Sequence, residues 1–263
     1  DMRFYTERCE AMRNFANKIW NASRFLMMNL TIDKCVLPEK LELEDKWILS
    51  KLNSLIPDVT DNMDHYELGV AAQKIYDFIW DTYCDWYIEL TKSRLQGEDE
   101  AAKEQAQQVL CYVLTQMLKM LHPFMPFITE EIWQALPHEE GCQAQFLMLD
   151  HWPQASENLN FPAEEQAMEQ IMDAIRAVRT RRSEMNVPPS KKAHLTVATD
   201  EGHVFALGVP FLKKMAYASD VTIVPADQAP EAAGMVCVVT HVAQMFIPLG
   251  ELVDLEKEKA RVE

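Results

Sequence analysis

Asn14, Asn17, Lys18, Asn21 and Phe25 recur at three- and four-residue spacings within RNFANKIWNASRF, residues 13–25. On a helix these positions, with Met28, fall within roughly a third of a turn. Arg13, Trp20 and Arg24 flank that stripe. Asparagine is a poor helix former, because its side chain competes for nearby backbone groups. Three on one face therefore call for a use. Amides donate and accept toward base edges in a plane. An exposed phenyl ring gives an unstacked base a surface to lie on, worth roughly 1–3 kcal/mol per base. Lys18, Arg13 and Arg24 supply local positive charge for phosphates. The set suits single-stranded RNA bases. A plainer reading needs no ligand: Asn17 or Asn21 as buried amides bonded between helices, and Phe25 as core.

A second candidate lies at 176–192. Arg176, Arg179, Arg181, Arg182, Lys191 and Lys192 stand there against one acid, Glu184. That local excess fits a phosphate-contacting patch or a dock for another domain; the alternative is a solvated helix face. His122 in HPFMPF is isolated and reads as packed or capping. Asp81, Asp85 and Glu89 share a helical stripe, as carboxylates for acid–base or metal chemistry would. A solvated face, or pairing with arginines such as Arg24, explains them as well. No catalytic or metal residues are assigned.

The elements that must position these residues are mostly helical. The apolar set Met12, Phe15, Ile19, Ala22 and Leu26 repeats at helical period and predicts a first helix over Thr6–Asn29, with Trp20 packed between helices. LEDKWILSKLNSLI predicts a second, stopped by Pro57. A long third covers about Asp64–Arg94, with Val70, Ala71, Ile75, Phe78, Ile79, Thr82 and Trp86 on its buried face. LQGEDE breaks it, and a fourth follows over Glu98–Leu121. Thr129 reads as the N-cap of a fifth, through Leu136, with Glu130 and Glu131 at its positive end. Short connections imply an antiparallel bundle. Beyond prolines 137, 153 and 162 the pattern changes. A helix over 163–184, a strand in KKAHLTVAT, a helix or broken helix at DEGHVFALGVPFLKKMAY, a strand in VTIVP and one or two strands in MVCVVTHVAQMFIPL make a small α/β unit. The charged, helical DLEKEKARVE reads as the first turns of a coiled coil. The expectation is a mainly α chain: a helical bundle over 1–157, a small α/β subdomain over 158–250 and the start of a C-terminal helix over 251–263.

Composition narrows the function. The 263 residues include 25 Lys and Arg against 41 Asp and Glu, a net charge of −16. Bulk electrostatics would repel nucleic acid, so binding must use local patches. Cysteines 9, 35, 84, 111, 142 and 237 lack CxxC spacing; they signal no zinc site or redox pair and fit a reducing cytoplasm. No apolar run approaches membrane-spanning length. The start without a methionine suggests a fragment. Seven glycines, with no GxGxxG, GxxxxGK[ST] or GxSxG, argue against nucleotide chemistry in this chain.

RNFANKIWNASRF resembles the signature opening the anticodon-binding domain of bacterial valyl-tRNA synthetases. DFIWDTYCDWYIELTKSRL resembles that domain's third helix. HPFMPFITEEIWQAL is similar to the motif after its fourth helix in valyl, isoleucyl and leucyl class I enzymes. IRAVRTRRSEMNVPPSKK and ELVDLEKEKARVE resemble the segment beyond the bundle and the entry to a tRNA-contacting coiled coil. The likeness covers essentially the whole chain, and NFANKIWNASRF with EMNVPPSKK points to the valyl member. HIGH-like and KMSKS-like motifs are missing. The resemblance therefore implies a fragment that holds valine tRNA, at the anticodon loop and stem, and does no chemistry. Aminoacylation with ATP and Mg, and editing of threonine, would belong to other domains, and this fragment would need no cofactor. Lys18 and Phe25 match the family's readers, Phe25 to stack on a base and Lys18 to contact a base edge or phosphate. Asn14, Asn17 and Asn21 adjoin them. Arg24 recurs in isoleucyl and leucyl relatives, which fits a structural role equally. The implied partners are the tRNA and the catalytic domain of the same polypeptide, in a cytoplasmic monomer without membrane contact. An isoleucyl- or leucyl-type domain, or a helical docking scaffold, are the alternatives.

Overall fold

The computed structural model describes residues 5–252. The backbone clusters into two compact units that divide between Glu165 and Gln166.

The first unit is a helical bundle. Helix α1 spans Thr6–Asn29 and buries Phe15, Ile19, Ala22 and Leu26. Met12, expected with them, is 50% exposed, and every residue from 5 to 14 is exposed. The apolar period defines a face, and only the later turns have something to pack it against. Trp20 is 38% exposed, not packed between helices.

Helix α2 spans Leu43–Asp64 and runs through Pro57 instead of stopping there. Proline deletes one N–H, but Pro57 sits exposed while its neighbours Ile56 and Val59 are buried. Their packing, worth about 1.5–3 kcal/mol per large side chain, carries the helix past the lost bond.

The third helix is Leu68–Asp77 (α3), a ten-residue π-helical stretch Phe78–Tyr87, and Ile88–Leu95 (α4). The i→i+5 pattern is seen where the Ile88 N–H donates to the Tyr83 carbonyl. It changes which residues face inward. Ile79 is followed in the core by Tyr83, Tyr87 and Ile88, while Thr82 and Trp86 are only partly covered and Val70 is exposed.

Helix α5, Glu100–Leu121, is the centre of the unit, buried almost continuously from Ala106 to Leu121. Asp99 caps it by accepting from the amides of Ala101 and Ala102. Helix α6 spans Pro126–Gln134. It begins at Pro126, whose missing N–H costs nothing in a first turn. Thr129 is thus inside the helix, not its cap: it is buried, with its hydroxyl donating to the Met125 carbonyl. His122 is packed as expected, its Nδ1 2.8 Å from the Thr129 hydroxyl. The connector after α6 is pinned to the bundle. Lys119 holds Glu139 and Asp150 at 2.9 and 3.0 Å, and the Trp152 indole donates to Thr60.

The second unit holds most of α7, Pro162–Glu184; the helix's first turn belongs to the first unit, where Glu164 meets Lys46 and Glu165 meets Ser50. Strands β1 (Ala193–Thr199), β2 (Ala218–Val224), β3 (Met235–Val239) and β4 (Ala243–Pro248) form a sheet in the order β2-β1-β4-β3. β1 and β2 are parallel, and helix α8, Gly202–Met215, connects them as one unbroken helix through Pro210. MVCVVTHVAQMFIPL is a hairpin: β3 and β4 pair antiparallel, and Thr240 closes the turn onto Ala243. A Cβ at Gly208 would lie 2.8 Å from Ile171, so only glycine lets α8 approach α7 this closely. A short helical turn, Leu249–Leu252 (α9), ends the description. The expected C-terminal coiled-coil entry lies outside the described residues beyond 252.

Candidate nucleic-acid interface

The stripe on α1 faces the π-helical stretch and α4. Phe15 packs on Tyr76 with ring centroids 4.6 Å apart, and Tyr76 stacks on Trp80 at 5.6 Å. This ladder seats α1 on the third helix. Beside it lies an open groove of about 480 Å³, lined by Asn14, Asn17, Lys18, Asn21 and Phe25 from α1 and by Cys84, Ile88 and Lys92 from the third helix. Its volume falls in the range of ligand sites. The i, i+4, i+7, i+11 spacing of Asn14, Lys18, Asn21 and Phe25 is what puts them on one wall.

Asn14, Asn17 and Asn21 are exposed, and among the described residues none of the three amides has a protein partner. They are not buried amides bonded between helices. Phe25 is partly covered, with the Lys92 ammonium 5.6 Å from its ring centroid. The Lys18 ammonium lies 3.7 Å over the Trp80 ring and 2.6 Å from Asp85 Oδ1. Burial pushes the Cys84 thiol up to about 12, with Lys18 pulling it down and Asp85 pushing it further up, so it is neutral here. Arg24 is exposed but does not line the groove. Its suggested pairing with the carboxylate stripe is not made: Asp85 pairs with Lys18, and Glu89 with Lys92.

Cys84, Ile88 and Lys92, which line the groove, and Asp85, which pairs with Lys18, were missing from the sequence-based set. The signal for them was the Asp81–Asp85–Glu89 stripe, but only the pairing of helices shows which of its residues meets α1.

The basic segment behaves differently. Arg182, at 3% exposure, is buried. Its guanidinium donates to the Pro188 carbonyl at 3.2 Å and to the Lys191 carbonyl, and lies 5.3 Å from the Tyr217 ring centroid. Burial lowers its pKa. It therefore leaves the exposed patch: it holds the turn after α7, where Asn186 takes a positive φ of 54°. Arg176 pairs with Asp173 and Arg181 with Glu184, each three residues apart on the exposed face. Arg179 and Lys192 are exposed, and Lys191 is partly covered.

A further buried cluster supports the far end of the third helix. Asp45 accepts from Tyr87 at 2.7 Å and from both terminal nitrogens of Arg94, whose Nη2 also meets Glu44 at 2.8 Å. One guanidinium thus faces two buried carboxylates. Burial pushes Glu44 up to about 7, against the pull of Arg94 and with a further push from Asp45.

Comparison with known proteins identifies the family. Residues 45–197 match the model of the anticodon-binding domain of tRNA ligases. The valine–tRNA ligase of Clostridium acetobutylicum is 49% identical over all of this chain and 30% of its own length. That of Clostridium tetani is 48% identical and that of Bacillus anthracis 44%, with the same coverage. The chain spans about 30% of the length of these curated relatives. A leucyl-tRNA synthetase from Agrobacterium radiobacter K84, solved in a ternary complex with tRNA, is a distant structural likeness: TM-score 0.43, 20% identity, 61% of this chain and 18% of that one. The chain belongs to the anticodon-binding domain family of tRNA ligases.

Proposed function

We propose that this chain holds the anticodon loop of valine tRNA for aminoacylation by the remainder of a valine–tRNA ligase. The observation that carries this reading is the groove: three unpartnered amides, a ring and two lysines face an opening between α1 and the third helix. The similarity to valine–tRNA ligases supports valine as the amino acid. Phe25 offers the stacking face, Asn14, Asn17 and Asn21 offer amide donors and acceptors, and Lys18 contacts a base edge or phosphate. Arg24, outside the groove, reaches the flanking backbone. Arg176, Arg179, Arg181, Lys191 and Lys192 form a weaker patch for the tRNA stem or the catalytic part of the same polypeptide; Arg182 is structural.

ATP-dependent ligation belongs to the part of the ligase beyond this chain, which carries no glycine-rich phosphate loop. No helix among the described residues is long and apolar enough to cross a membrane. A cytoplasmic monomer completes the proposal.

The test is binding of the chain to a valine anticodon stem-loop and to a loop with the middle base swapped, at low and moderate salt. Preference for the valine loop that survives added salt is the expected result. Equal, salt-sensitive binding to both would leave only phosphate contact and overturn base reading.

A further inference from the structure

The sheet of the second unit has two edges of different character. β2 forms one edge and is defended. Its pairing with β1 takes an extra residue between Ala218 and Val221, and it carries the exposed Asp220, held by Lys213 at 2.7 Å. Bulges and charges keep an edge from pairing further. β3 forms the other edge and has neither: MVCVV contains no charge and no proline, and its register with β4 is unbroken. We propose that the free edge of β3 takes, as a fifth strand, an extended segment from the part of the ligase beyond this chain. This rests on the chain being one part of a longer ligase and is independent of what the α1 groove binds.

The register shows which backbone groups are on offer. The Leu249 N–H donates to the Gly234 carbonyl at 3.0 Å, and the Thr240 N–H to the Ala243 carbonyl at 2.9 Å. Hydrogen-bonded pairs alternate along an antiparallel ladder. Val236 and Val238 therefore bond to Ile247 and Met245 of β4, while Cys237 and Val239 turn N–H and C=O to the free side. Among the described residues neither has an outward backbone partner. Beside this edge runs an open groove of about 620 Å³, with Arg176, Ala177 and Thr180 of α7 on one side and Cys237, Val238 and His241 on the other.

The chemistry of the edge selects its occupant. An N–H and a C=O at every second residue, about 6.8 Å apart, match another extended backbone. A nucleic-acid phosphate only accepts, so it would meet two outward carbonyls. The arginines at the rim are no substitute, since Arg176 pairs with Asp173 and Arg181 with Glu184. Side chains of an added strand alternate between faces. Those beside Cys237 and Val239, where Val239 is 65% exposed, favour apolar residues; those beside Val238 meet the charged side of α7 and favour polar ones. The occupant is thus a strand of alternating character. The relatives, of whose length this chain spans about 30%, have further chain to supply it, and a strand from the same polypeptide keeps the ligase monomeric.

The experiment is amide hydrogen exchange of the full ligase carrying this chain and of the chain alone, read at residues 235–240. In the full ligase the Cys237 and Val239 amides should exchange about a hundred-fold more slowly than in the chain alone, as amides released only by local opening do. Val239→Pro removes one outward donor and none of the bonds to β4. In that variant of the full ligase the Cys237 amide should return to the fast rate, while Val236 and Val238 stay slow and report an intact hairpin. Val239→Thr, which keeps the N–H, should retain the protection. Fast exchange at Cys237 and Val239 in the full ligase would overturn the proposal. So would protection already present in the chain alone, protection that grows with protein concentration, which means a second copy, or protection that appears only with tRNA, which means RNA on this edge. Loss of anticodon-loop binding with the edge still protected would count against the α1 groove alone.

Discussion

The polar face of α1 and the basic face of α7 look alike as sequence and differ as structure. Both are amphipathic helices with a polar stripe, amides and a lysine on α1 and arginines on α7. On α7 three of the four arginines are spoken for: Arg176 and Arg181 pair with acids one turn away, and Arg182 is buried against backbone carbonyls. On α1 the amides are unpartnered, and a second helix supplies the opposite wall of a groove. Counting charge therefore favours α7, and counting unsatisfied groups that converge on one space favours α1. For a chain of net charge −16, the second count is the more telling, since long-range attraction cannot do the selecting.

If the contrast holds, Arg182→Ala should act on stability. Removing a buried charged donor with two acceptor carbonyls should cost about 3 kcal/mol, read as a lower thermal midpoint, with base preference in the folded protein unchanged. A binding loss without a stability loss would return Arg182 to the surface patch.

Phe25→Ala should do the reverse. Loop affinity should fall by about 1–3 kcal/mol, while the midpoint moves little, because the ring is only partly covered. Destabilisation by the roughly 3–5 kcal/mol typical of a core phenylalanine would make Phe25 core and favour a scaffold.

Glu44 gives a pH test remote from the groove. Its folded pKa, about 7, lies above the ordinary value of 4.5. Between these values the folded state binds more protons than the unfolded one, so this residue makes stability fall as pH rises from about 4.5 to 7. Glu44→Gln should flatten that part of the stability–pH curve relative to wild type in denaturant titrations. An unchanged slope would show that Arg94 keeps Glu44 ionised throughout. The smallest effect belongs to the exposed pairs: Arg181→Gln should change the midpoint by less than about 0.5 kcal/mol equivalent and weaken RNA binding only at low salt.

Much of this was legible in the sequence. The ends of α1 and its polar stripe follow from period and residue type, as do the bundle class and the α/β unit after it. The rest depended on tertiary context. The period of the third helix cannot show a ten-residue π stretch, which swaps Thr82 and Trp86 for Tyr83 and Tyr87 in the core and aims Asp85 at Lys18. Pro57 and Thr129 carry ordinary stop and start signals, overridden by packing at one and by Pro126 at the other. Arg182 cannot be told from its exposed neighbours until the turn after α7 folds around it. The groove's second wall, Cys84, Ile88 and Lys92, exists only once two helices meet.

The central claim, that the α1 groove and not the α7 face receives the anticodon loop, is tested most directly by nitrogen-15 NMR of the chain as valine anticodon stem-loop is added. The side-chain amide resonances of Asn14, Asn17 and Asn21 and the backbone around Phe25 should shift, while the Nε–H resonances of Arg176, Arg179 and Arg181 stay in place at moderate salt. Shifts confined to the arginines, with the asparagine amides unmoved, would contradict the account.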